Sequence, residues 1–185
     1  MHLPVQVEKA IQAIGVLFRQ DGVANMNYMR VLKLLYIADR ESLSETGRTI
    51  VGGPVVAMER GPVLEEVYDL MRGRHKEMPL WDKYFRRLNY NLVMCDHPDV
   101  KKLSKYQIGK LQDVAERHKD DDEWSLVHLT HKFPEWAKNN PGQSSKPISF
   151  HDILEAVGMA GHEEEIAADM RHIAEMKSLF EGTVS

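Results

Sequence analysis

A chain of 185 residues, 43% hydrophobic and 28% charged, has the size of one ordinary domain and enough apolar content to enclose a core, which excludes a disordered polypeptide. A formal net charge of −4 argues against a standing affinity for nucleic-acid phosphates, and a single cysteine, Cys95, excludes an intrachain disulfide and fits a reducing compartment. No segment approaches the roughly 20 apolar residues of a membrane span, and polar residues interrupt the N-terminus before a signal-peptide core can form, so the expectation is a cytoplasmic protein.

Pro4 suits the first turn of a helix. Val7, Ala10, Ile11, Ile14, Leu17 and Phe18 then recur at helical spacing until Gly22, which predicts an amphipathic helix with one buried stripe. From Asn27, a good N-cap, the chain is apolar on nearly all sides, and only Arg30, Lys33 and Arg40 mark a narrow polar strip. This predicts a central helix running to about Glu45 and closed by Gly47. Val55–Glu59, set between glycine and proline turns, reads as a short strand, and Pro62 as the start of a helix that Gly73 stops. Arg87–Met94 alternates, with Leu88, Tyr90, Leu92 and Met94 on one face, which is the period of a half-buried strand. An isolated strand is unstable, so the two are expected to pair as a ribbon.

The C-terminal half turns helical again. Ser104 with Gln107 and Ser149 with Asp152 read as capping boxes, Asp121 or Asp122 as the cap of a helix carrying Trp124, Val127, His128 and His131, and Pro134 as a further start. Residues 139–147 read as a polar loop, and a last helix runs from about Glu163 to Leu179. The expected architecture is mainly α with a small two-stranded β ribbon, one compact helical domain over residues 1–185.

Catalytic chemistry finds little footing. His128 and His131 share a helical face, and with a further ligand they would make a metal-dependent enzyme. The sequence lacks the spaced additional ligands that zinc sites use, so a structural role for the pair outweighs a metal site. Cys95-Asp96-His97 holds nucleophile-type residues, but catalytic partners meet in space rather than by adjacency, and a strand end entering a turn explains the run. The glycines match no phosphate-binding spacing. A helix-turn-helix reading of the first two helices, which would make a DNA-binding autoregulator, conflicts with the apolar second helix, since a recognition helix must show polar side chains to base edges. No cofactor is therefore expected. What remains is a surface. Met58, Glu59, Arg60 and Pro62 sit at a strand–turn–helix junction with Tyr68 beside them, and Met and Arg are enriched in protein interfaces, so these five are the candidate contact residues.

Three stretches carry a family likeness: Lys33-Leu34-Leu35-Tyr36-Ile37-Ala38-Asp39-Arg40, then Glu45-Thr46-Gly47-Arg48-Thr49-Ile50, then Glu59 through Leu70 with Gly61-Pro62-Val63 and Tyr68. In this order they resemble the Panacea antitoxin domain, also called SocA-like. Trp124–His131 with Pro134-Glu135-Trp136 resembles the family's second block, and residues 147–154 its closing one, so the likeness spans about residues 28–170. The resemblance implies an antitoxin of a type II toxin–antitoxin system that silences a cognate protein toxin, either by covering it or by delivering it to a cellular protease. It also implies a link to phage defence, no catalytic residues, and a structural place for His128 and His131.

Overall fold

The structure, a computed structural model, describes residues 5–181, so the helix start expected at Pro4 lies outside the described residues. The first helix, α1 (Val7–Asp21), is enclosed more fully than a single stripe requires: every residue from Ala10 to Phe18 is buried. Gln12 is the polar member of that run. Its Nε2 donates to Asp99 Oδ1 at 2.8 Å and its Oε1 accepts from the Lys102 backbone at 2.8 Å, which ties the loop at residues 99–102 over the helix.

A short strand, β1 (Asn25–Asn27), leads into the central helix α2 (Tyr28–Thr46). The Asn27 side chain caps it by accepting from the Met29 backbone at 2.9 Å, and Gly47, with φ of 71°, closes it. Met29 through Asp39 are all buried, as expected of a helix apolar on nearly every side.

Beyond α2 come β2 (Val55–Met58), β3 (Gly61–Leu64), α3 (Glu65–Met71), α4 (Met78–Trp81), β4 (Phe85–Leu88) and β5 (Asn91–Met94). The helices α5 (Lys105–Arg117), α6 (Glu123–His131) and α7 (Pro134–Lys138) follow, then β6 (Ser145–Ile148), α8 (Phe150–Ala156) and α9 (Glu163–Glu181). Helix α5 packs on α1 and α2, and α6 packs on α2 and β3. The expected caps at Ser104, Asp122 and Ser149 each accept from a backbone N–H three residues on.

The β structure departs from the expected ribbon. There are two three-stranded antiparallel sheets among the described residues, ordered β1-β5-β4 and β3-β2-β6. Strand β2 does not meet residues 87–94. Its three buried residues Val55, Val56 and Ala57 need partners on both edges, and β3 and β6 supply them, with Val56 opposite Val63 on one side and Pro147 on the other. Pro62 therefore sits in a strand instead of opening a helix. That strand is at the sheet edge, where a residue lacking an N–H costs nothing, and α3 begins only at Glu65. The polar segment expected as a loop at residues 139–147 ends in β6, whose Pro147 is likewise on an edge.

The strand expected at Arg87–Met94 is in fact interrupted: it holds the end of β4, a turn at Asn89-Tyr90 and all of β5. Asn89 takes φ of 54°, a conformation asparagine tolerates, and β4 pairs with β5 from Phe85↔Met94 to Leu88↔Asn91. Leu88 and Tyr90, expected on the inner face, stand at the tip with relative exposures of 61% and 68%. No helix among the described residues is long and apolar enough to cross a membrane.

Candidate functional site

Polar residues of α2 are turned inward and fasten distant segments to it. The Asp39 carboxylate, buried, accepts from the backbone N–H groups of Ile50, Val51 and Gly52 at 2.9, 2.8 and 2.7 Å and so fixes the loop before β2. Burial pushes this carboxyl up to about 6 even though the three N–H donors pull the other way. One turn earlier, the Tyr36 hydroxyl donates to Glu135 Oε1 at 2.8 Å, and Arg40 Nε reaches the same oxygen at 2.7 Å. Glu135 is buried at the start of α7, so its charge is compensated from α2.

Lys33 completes the inward set. Its Nζ donates to the Pro62 carbonyl at 2.9 Å, and burial lowers the amine to about 7. Arg30 is engaged in the same way, with Asp21 at 2.5 Å and the carbonyls of Asp121 and His118 at 3.0 Å each. The polar strip of Arg30, Lys33 and Arg40 is engaged by partners within the protein.

The β2–β3 turn, Glu59-Arg60, projects over this end of α2. Gly61 takes φ of 99°, and a Cβ there would come within 2.6 Å of Thr130 Oγ1 and 2.9 Å of Lys33 Nζ, so only glycine lets the hairpin lie this close to α2 and α6. Trp136 Nε1 donates to the Met58 carbonyl at 2.9 Å, and the His131 ring stacks on Trp136 at 3.9 Å with its Nε2 3.0 Å from the Glu59 carbonyl. Desolvation lowers the His131 pKa. His131 thus buttresses the hairpin, and His128 is exposed. Among the described residues no three His, Cys, Asp or Glu side chains form a group that could hold a metal. Cys95 is exposed, with Sγ 3.9 Å from the Val93 carbonyl, and Asp96 accepts from the His97 backbone.

Beneath the turn lies a cavity of about 210 Å³, walled by Tyr28, Met29, Leu32, Lys33, Met58, Glu59, Arg60, Gly61, Val63 and Tyr68. Four of the five residues singled out from sequence meet here. The fifth, Pro62, is buried in β3 and contributes its carbonyl to Lys33. A second hollow shares Tyr28, Met29 and Arg60 with the first and continues to Tyr90, Glu123 and Trp124. Cations lie over most of these rings: Arg60 over Trp124 at 5.1 Å, Arg72 over Tyr68 at 4.2 Å and Arg87 over Tyr28 at 4.3 Å. Trp124 is 47% exposed, which is unusual for so large a ring on a short helix. Sequence reasoning passed over Tyr28, Tyr90, Trp124 and Lys33. The first three read as ordinary positions of periodic elements, and only the fold brings them beside Arg60.

The family model of SocA-like antitoxins, the Panacea domain, matches residues 31–137, more than half of the chain. The chain belongs to this family. No curated protein and no solved structure matches it. The Panacea match starts inside α2 and ends in α7, so it contains both ends of the Tyr36–Glu135 bond, the Lys33–Pro62 bond and the β2–β3 hairpin. It stops before residues 147–154, and β6, α8 and α9 lie outside it. Residues of α2 inside the matched region thus clamp the hairpin and α7 in place.

Proposed function

We propose that this Panacea protein acts in the cytoplasm as an antitoxin that silences a cognate protein toxin by direct binding, without catalysis, through the face around the β2–β3 turn. The observation that carries this reading is the composition of that face. Tyr28, Met58, Tyr68, Tyr90 and Trp124 are interleaved with Arg60, Arg72 and Arg87, the side-chain types that dominate protein interfaces, and they adjoin one another at a concave surface. The rings are held by cations and by the hairpin, so little side-chain freedom is lost on contact. A contiguous surface of this kind favours neutralisation by covering the toxin; delivery to a protease would show instead as loss of toxin from the cell. A role in phage defence follows if infection releases the toxin.

The test is co-purification with the product of the neighbouring gene, comparing wild type with the double variant Met58→Asp, Arg60→Glu. Both side chains lie at the turn, Arg60 exposed and Met58 half-buried, so the fold, followed by circular dichroism and melting temperature, is expected to persist while the complex is lost. A folded double variant that still binds at wild-type strength places the interface elsewhere.

A further inference from the structure

Lys33 is a buried cation with an incomplete set of partners. An ammonium carries three donors, and the Pro62 carbonyl takes one of them at 2.9 Å. No carboxylate stands within ion-pair distance of Nζ among the described residues, which is costly for a charge removed from water. Lys33 nevertheless forms part of the wall of the 210 Å³ cavity, beside Arg60, which has no ion pair among the described residues and lies over Trp124. The rest of the wall is aromatic or aliphatic, and its one acid, Glu59, is exposed at the turn.

We infer that this cavity is a receptor for an acidic side chain of the toxin, an Asp or Glu carboxylate inserted beneath the β2–β3 turn and held between Lys33 and Arg60. The inference rests on the antitoxin reading and names the chemistry of its central contact. Charge complementarity selects the occupant: the Arg60 guanidinium and the buried Lys33 amine, both without an ion-pair partner among the described residues, adjoin a largely apolar lining, where a carboxylate supplies the missing acceptor and a hydrophobic side chain leaves it missing. The groups facing Lys33 from each neighbouring element do not replace it. His131 of α6 is neutral or of like charge and is engaged at the Glu59 carbonyl; Tyr28 and Tyr68 are phenols; Arg60 is a second cation. With the amine lowered to about 7 in the free protein, a seated carboxylate would restore its proton, so binding takes up a proton near neutral pH.

The experiment follows the titration of the Lys33 side chain by carbon-13 NMR of lysine-labelled protein, free and in complex with the neighbouring gene product. Affinities of wild type and Lys33→Met are measured beside it. The expected result is a midpoint that rises by more than one pH unit in the complex, with Lys33→Met binding at least about 30-fold more weakly. An unchanged midpoint in the complex overturns the inference, and this measurement on wild type decides the matter even if Lys33→Met fails to fold. A folded Lys33→Met that binds like wild type, while Met58→Asp, Arg60→Glu does not, also overturns it and leaves the antitoxin reading intact. Absence of any complex with wild type removes both.

Discussion

Burial lowers the Lys33 amine to about 7, whereas the unfolded chain holds the same proton up to its ordinary value of 10.5. Between those two pH values the unfolded state binds more protons than the folded one, so stability rises with pH across that window and the gain is lost as pH falls through about 7. Urea unfolding at pH 7 and pH 9.5 checks this: wild type should gain stability relative to Lys33→Met between the two, and a constant difference contradicts it. Sequence pattern alone shows Lys33 as a member of a polar strip on an apolar helix. Its acceptor, the Pro62 carbonyl, lies 29 residues away and is a backbone atom, which no residue type announces. The same holds for Tyr36 and Arg40, whose partner Glu135 is 99 and 95 residues distant. The surface position of Met58 and Arg60 at a turn was legible because a turn between a β-branched strand and a proline must reach the surface.

At the scale of elements, α2 was readable end to end because its apolar run, Asn27 cap and Gly47 stop agree with one another. The hairpin of β4 and β5 was not, since the alternation of Leu88, Tyr90, Leu92 and Met94 runs through the turn without a glycine to interrupt it. Strand β6 was hidden by Pro147, which only an edge position tolerates, and sheet partners are set by packing between distant segments. The β2–β3 hairpin is the element on which the site depends, and Gly61 is its tightest point. Gly61→Ala places a Cβ against Thr130 Oγ1 and Lys33 Nζ at φ of 99°, whereas Gly73→Ala meets open space at φ of 69°. The first should cost more than about 2 kcal/mol and the second about 1 kcal/mol, the conformational term alone. Thermal denaturation of the two variants tests this order, and equal losses would show that the hairpin is not clamped at Gly61.

Across the whole molecule, α2 acts as the frame. Its inward polar residues hold the loop before β2, the β2–β3 hairpin and α7, and its first turn presents Tyr28 to the face that Arg60, Tyr68, Tyr90 and Trp124 complete. The matched Panacea region therefore contains the inward polar residues of α2 that hold this scaffold together. The measurement that tests the central claim most directly is co-expression of this protein with the product of its neighbouring gene, scoring growth and isolating any complex by size-exclusion chromatography. The account predicts that the neighbour alone arrests growth, that co-expression restores it, and that the two proteins elute together. Restored growth with no complex, or a neighbour that is harmless alone, would contradict it.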